Sequence, residues 1–210
     1  MLSRLQHMVE GAFESSAGIF KRVGLSPNSV TILGFVFTLA AFIFYTYGLR
    51  SALENAGAVL ALLIAGYLDA VDGALARRYH LVSRKGGILD STLDRIGEMF
   101  LYSGLAIGGL VDFRLVLWAL SASFMVSYTR ARAEVERIVL KGVGIAERPE
   151  RLLMLLAASL LQPLNPGAMF WGVLLIAVLA SLTVVERVYR ATTAVSTTEV
   201  SLVARGVDPL

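Results

Sequence analysis

The chain predicts an all-α integral membrane protein, with six transmembrane helices preceded by an N-terminal amphipathic interfacial helix. Three observations carry that expectation. Apolar residues fill 56% of the 210 positions, and the mean hydropathy is +0.70, above the roughly 45–50% apolar usage of soluble domains. Six stretches reach or approach the roughly 20 apolar residues that span a bilayer. Between them, basic clusters alternate with sparsely charged turns, as loops on the two sides of a membrane do.

The elements follow in order. Over residues 1–22, Leu2, Leu5, Met8, Val9, Phe13, Ile19 and Phe20 recur at helical spacing, with Ser3, Arg4, Glu10, Glu14, Lys21 and Arg22 between them. That pattern fits an amphipathic helix lying in the interface, not the continuous apolar core of a signal peptide. The membrane domain is expected over 23–190, with spans near 29–48, 53–75, 87–110, 114–133, 150–163 and 167–186. Breaks fall at Pro27-Asn28, Gly86-Gly87, Gly108-Gly109 and Pro163 to Gly167. The positive-inside rule places both termini and the two charged loops, Arg77–Lys85 and Arg130–Arg151, in the cytoplasm. Residues 191–210 show no sustained pattern and read as a loosely ordered tail.

Composition also excludes. The absence of cysteine rules out disulfides, zinc–thiolate sites and a thiol nucleophile. The formal charge of +3 fits cations along cytoplasmic edges beside anionic lipid, with no need for nucleic acid. His7 and His80 lack the spacing of a metal pair. Gly18, Gly34, Gly48, Gly104 and Gly108 are candidates for close helix packing.

The chemistry concentrates in "LDAVDGALARRYHLVSRKGGILDSTLDR", residues 68–95. Asp69 and Asp72 lie three apart and Asp90 and Asp94 four apart, so each pair shares a helix face. A short basic connection makes the two helices antiparallel neighbours, with both pairs just inside one membrane edge. Carboxylates beside hydrocarbon are costly. They are balanced either by the arginines and lysine of the same loop or by hard divalent cations, which take oxygen ligands. Gly73 and Gly86 leave room for a ligand near the backbone, and Arg77 offers a planar donor to phosphate oxygens.

The run reads Asp69-x2-Asp72-Gly73-x2-Ala76-Arg77-x8-Gly86-x3-Asp90-x3-Asp94. It resembles the full signature of the CDP-alcohol phosphatidyltransferase family, with eight fixed positions filled across 26 residues. The six spans, the preceding interfacial helix and Pro27-Asn28 before the first span are similar to that family as well. The resemblance implies transfer of a lipid-phosphate unit from a CDP-activated lipid to an alcohol, with release of CMP. It implies that Asp69, Asp72, Asp90 and Asp94 hold two divalent ions, Mg2+ or Mn2+, and that Asp94 is also the general base. Pro27, Asn28, Asp69, Gly73, Ala76, Arg77 and Gly86 would then bind the CDP-lipid, and a homodimer is implied too.

A second basic stretch bears on the acceptor. "SYTRARAEVERIVLKGVGIAERPERLL" carries Arg130, Arg132, Arg148 and Arg151. Pro149 opens a helix there, which sets Arg148 and Arg151 at a helix N-terminus that already favours an anion. One reading is a cytoplasmic anchor paired with Glu134, Glu136, Glu147 and Glu150. The other is a pocket for a phosphorylated alcohol. "SYTRARAE" with "ERPER" resembles the branch that uses inositol 1-phosphate, in which Arg130, Arg132, Arg148 and Arg151 would hold the acceptor phosphate, joined by Arg190 or Arg187. Glycerol 3-phosphate is the alternative acceptor. The rival class is a divalent-ion transporter, which the placement of the aspartates at one membrane edge disfavours. Whether the donor is CDP-diacylglycerol or CDP-archaeol is not written in the residues.

Overall fold

The computed structural model describes residues 13, 15–140 and 142–204, with side chains as far as 195. The described residues form helices and connections, without a strand. Residues 1–12 and 14 of the expected interfacial helix lie outside them, while residues 15–22 are helical and are called α1. The connection after α1 is a Schellman turn: Gly24 sits at φ +81, and the Leu25 N–H donates to the Phe20 carbonyl at 3.1 Å.

Six helices follow: α2 (Pro27–Thr46), α3 (Ala52–Arg78), α4 (Arg84–Ile107), α5 (Phe113–Val135), α6 (Arg148–Leu161) and α7 (Ala168–Ala204). Local chemistry explains their starts. Ser26 caps α2 ahead of Pro27, Ser51 and Glu54 form a reciprocal capping box on α3, and Ser83 caps α4 by accepting from the Gly86 N–H. Helices thus stand where the six spans were expected, with shifted ends. The tail is corrected: helix continues to Ala204, because no glycine or proline interrupts the chain between Val173 and Arg205.

Among the described residues, three helices are long and apolar enough to cross a membrane: Pro27–Thr46, Ala52–Arg78 and Ala168–Val195. Apolar side chains on their outer faces, among them Val36, Ile43, Leu60, Leu63, Leu182 and Val185, stay exposed in the isolated chain. Such surfaces belong to a membrane protein. Helix α4 carries six charged residues between Arg84 and Glu98, and α6 has 14 residues, about 21 Å of helix.

The packing corrects one expectation. Helices α3 and α4 are not packed neighbours; each packs instead against α2, while α6 bridges α3 and α7, and α5 lies on α7. A short connection ties only the ends of two helices and leaves their axes free to part. Helix α2 fills the space because small residues let it. A Cβ on Gly34 would lie 3.4 Å from Leu68 Cβ of α3, and one on Gly97 of α4 would lie 3.0 Å from Thr38 Cγ2. Gly104 and Gly108 continue the α4 face, with Cβ positions 2.9 Å from the Phe42 carbonyl and 1.9 Å from the Tyr45 carbonyl. Of the glycines expected in packing, Gly34, Gly48, Gly104 and Gly108 do pack closely, whereas Gly18 has ordinary contact only.

The main core draws on α2 to α7, with Tyr45, Leu101, Leu105, Leu155 and Ile176 buried together. Tyr45 and Ser159 share a hydrogen bond of 2.7 Å inside it. A second cluster, including Ala17, Val30, Val71 and Leu75, seats α1 against α2 and α3. Replacing Gly108 by alanine should lower the thermal midpoint of the detergent-solubilised protein, since overpacking costs about 1–3 kcal/mol. Gly66→Ala, with nothing within 4 Å of the new carbon, should leave the midpoint unchanged or raise it slightly, since alanine is the better helix former.

Candidate active site

The parting of α3 and α4 opens a small cleft beneath α2. Thr31, Gly34, Phe35 and Thr38 line it from α2, Ala65, Asp69 and Asp72 from α3, and Leu93 and Asp94 from α4, with Arg148 of α6 closing it. Its volume of about 10 Å³ is near the room of one water molecule. One carboxylate oxygen from each of Asp69, Asp90 and Asp94 falls in a group whose members all lie within 4.8 Å of one another. Asp72 lines the same cleft but turns toward α2, where the Thr31 hydroxyl donates to its Oδ2 at 2.6 Å.

Arg148 meets this charge. Its Nη1 donates to Asp69 Oδ1 at 2.8 Å, and its Nη2 lies 2.9 Å from Asp94 Oδ1. One guanidinium thereby bridges carboxylates of two helices that do not pack on each other. Arg95, next to Asp94 in α4, reaches it only at 3.8 Å. Two polar atoms remain buried without hydrogen-bond partners here, Asp90 Oδ1 and Arg148 Nε. An unbonded buried carboxylate oxygen among three converging carboxylates is what a hard cation with oxygen ligands would satisfy, so the residues fit a divalent metal.

One turn further along both helices, a second ion pair is sealed from solvent. Arg151 donates through Nε and Nη2 to Glu98 Oε1 at 2.9 and 2.6 Å and through Nη1 to the Ala146 carbonyl at 2.7 Å. Its side chain is 2% exposed and that of Glu98 is 4%. Arg95 adds an ion pair to Glu98 Oε2 at 3.2 Å and a hydrogen bond to Ser127. The connection before α6 is pinned from α7. Arg187 donates to the Val143 and Val126 carbonyls and to Glu147, and the Thr183 hydroxyl accepts from the Ile145 and Ala146 N–H groups.

The expected acceptor cluster is therefore divided. Arg148 stands in the aspartate cleft. Arg151 is fully engaged by Glu98 and Ala146, with no donor directed to an open pocket, because a buried guanidinium needs a buried carboxylate beside it. Arg130, Arg132 and Arg190 make exposed pairs one turn along their own helices, with Glu134, Glu136 and Glu186. Of the residues expected to bind the CDP-lipid, Pro27 and Asn28 line a separate cleft of about 350 Å³ with Lys21, Gly24, Leu25, Ser26, Leu81 and Ser83. A Cβ on Gly86 would lie 3.0 Å from Asn28 Oδ1, and one on Gly73 3.1 Å from Arg77 Nη1, so both glycines admit polar groups that a side chain would exclude. The Ala76 carbonyl accepts the Leu81 N–H at 2.8 Å, closing the end of α3.

Sequence reasoning missed Glu98, Thr31 and Thr183. Glu98 had a signal, since it extends the Asp90–Asp94 spacing by one more turn. Thr31 and Thr183 had none, because their partners lie far along the chain.

Fold and site together define a membrane-embedded helical enzyme whose carboxylates face a polar cleft at the end of an apolar bundle. Residues 25–194 match the profile of the CDP-alcohol phosphatidyltransferases, and the chain belongs to that family, as a transferase of phospholipid biosynthesis. It is 40% identical to the archaetidylinositol phosphate synthase of Pyrococcus horikoshii over 91% of this chain and 96% of that one. Identity to the synthase of the same description from Methanothermobacter thermautotrophicus is 39%, over 80% and 84%. The crystal structure of Mycobacterium tuberculosis phosphatidylinositol phosphate synthase with CDP-DAG bound superposes with a TM-score of 0.73 at 30% identity, covering 85% of this chain and 92% of that one. The same mycobacterial enzyme in complex with manganese and citrate gives a TM-score of 0.74 at 30% identity, over 86% and 89%.

The sealed pair generates a stability prediction. Glu98→Ala leaves Arg151 buried and unpaired, and should cost about 3–5 kcal/mol, read as a lower unfolding midpoint in detergent. Replacing Glu98 and Arg151 together by methionine should recover most of that loss.

Proposed function

We propose that this enzyme moves a lipid-phosphate unit from a CDP-activated lipid, CDP-archaeol or CDP-diacylglycerol, to inositol 1-phosphate and releases CMP. The observation that carries the reading is the convergence of Asp69, Asp90 and Asp94 within 4.8 Å around a buried, unbonded Asp90 oxygen. The names of the archaeal relatives support the acceptor, and the CDP-DAG-bound mycobacterial structure supports the donor. Asp69, Asp72, Asp90 and Asp94 would hold two divalent ions, Mg2+ by preference and Mn2+ as the alternative, a reading that the manganese-bound mycobacterial structure supports. Bound there, such ions neutralise the diphosphate and make CMP a better leaving group.

The remaining work falls to the chain. Asp94 accepts the proton of the acceptor hydroxyl, whose oxygen forms a bond to the lipid-bearing phosphorus as the bond to the CMP oxygen breaks. Thr31 holds Asp72 in place from α2. Pro27, Asn28, Gly73, Ala76, Arg77 and Gly86 bind the CDP unit beside the carboxylates. Arg148 holds the acceptor phosphate, with Arg130, Arg132 and Arg190 on the approach to it. Arg151 acts through Glu98, fixing the start of α6. In the same reading, α2 to α7 are the six membrane segments, an interfacial helix precedes them over 1–22, the site and both termini face the cytoplasm, and two copies form a homodimer.

The test is CMP release by the purified protein with Mg2+ and either ester or archaeol CDP-lipid, in parallel with inositol 1-phosphate, glycerol 3-phosphate, serine or free inositol. Release is expected with inositol 1-phosphate alone, and Asp94→Asn should reduce it at least 100-fold, the lower range for a lost proton-transfer group. Release with glycerol 3-phosphate instead would keep the chemistry and reassign the acceptor. No release with any acceptor would return the transporter reading.

A further inference from the structure

We infer that Arg148 is a built-in counterion of the aspartate cleft, which competes with the divalent cation for Asp69 and Asp94 and, once displaced, is available to the acceptor phosphate. The inference rests on the metal-binding reading above and extends it to the order in which ligands bind.

Three observations lead there. First, Arg148 spends both terminal nitrogens on the cleft, one on Asp69 of α3 and one on Asp94 of α4. Charge-assisted pairs of this kind are among the stronger hydrogen bonds, and they engage oxygens that a cation would need. Secondly, the pairing is incomplete. Arg148 and the more distant Arg95, 3.8 Å from Asp94, face the three carboxylates of Asp69, Asp90 and Asp94, while Asp90 Oδ1 and Arg148 Nε stay buried and unbonded. A divalent ion brings more charge to the same carboxylates and an oxygen-seeking shell, so it can replace the guanidinium where a monovalent ion would not.

Thirdly, the scaffold around Arg148 does not depend on that pairing. Arg151, one turn on, is anchored to Glu98 and the Ala146 carbonyl, and the preceding loop is held by Arg187 and Thr183. Arg148 can therefore let go by side-chain rotation alone, with the helix fixed. Its destination is close by. Glu147, at the N-cap of α6, makes no side-chain capping bond; its carboxylate accepts from Arg187 and the Gly142 N–H instead. The first N–H groups of α6 are thus left uncapped by side chains beside the freed guanidinium, an arrangement that favours an anion. Because one side chain serves both ligands, cation and acceptor phosphate should each tighten the other, by reciprocal linkage.

The experiment is a Mn2+ titration of the purified protein in detergent, following free Mn2+ by its electron paramagnetic resonance signal. Wild type, Arg148→Gln, Arg148→Lys and Asp94→Asn are compared with and without inositol 1-phosphate. Removing the competitor should tighten Mn2+ binding about fivefold or more in Arg148→Gln, the lower end of ordinary coupling between sites. Arg148→Lys, which keeps charge but loses the fork, should fall between Arg148→Gln and wild type and guards against misfolding of the first variant. Inositol 1-phosphate should tighten Mn2+ in wild type and have no effect in Arg148→Gln. Unchanged or weaker Mn2+ binding in both arginine variants, while Asp94→Asn abolishes it, would overturn the counterion role and leave the metal site standing. Absence of Mn2+ binding in wild type itself would remove the metal reading, and this inference with it.

Discussion

Carboxylates that repel one another, held together at the end of an apolar bundle, are the constraint around which this structure is arranged. Asp69, Asp90 and Asp94 come within 4.8 Å although their helices do not pack on each other. Like charges at that range in a poorly solvated site disfavour one another by several kcal/mol unless a counterion is present. The chain provides one in Arg148, from a helix 79 positions away in sequence from Asp69. Its position depends on the sealed Arg151–Glu98 pair one turn deeper. The two pairs form rungs of one ladder between α4 and α6. The deep rung is closed and structural, whereas the outer one opens on the cleft and, on the reading proposed, can exchange.

The cleft also depends on how closely backbones approach. Helix α2 stands against both α3 and α4 because Gly34, Gly97, Gly104 and Gly108 remove side chains along its contacts. In a lipid setting, where apolar burial adds little to helix association, such close contact is a main source of cohesion. The same placement carries Thr31 to Asp72 and Asn28 to Gly86. One helix thus orders both the aspartate cleft and the neighbouring cleft that Asn28 lines. At the other edge, Arg187 and Thr183 of α7 fix the loop that delivers Arg148.

On the proposed reading, a base paired with the enzyme's own arginine until cation and acceptor phosphate arrive would be less reactive with either ligand alone. That is useful where the donor is a high-energy diphosphate in contact with water. A free base beside it would promote hydrolysis as readily as transfer. Coupling the base to both cation and acceptor phosphate restricts the reactive arrangement to the assembled complex.

By itself the sequence determined whatever depends on short spacing. Helical identity, the caps at Ser26, Ser51 and Ser83, the pairing of Asp69 with Asp72 and of Asp90 with Asp94 on common faces, and the family signature are all local, and all could be read from neighbouring residues. Glu98 was equally local and simply continued that face. Only the tertiary structure decided that α2 separates α3 from α4, that Arg148 faces the aspartates, that Arg151 is sealed against Glu98, and that the last helix continues to Ala204. The first three are long-range pairings settled by which surfaces fit and which charges must be neutralised, and nothing in a local pattern encodes the partner. The last followed from the absence of a breaker, which a search for apolar periodicity does not register.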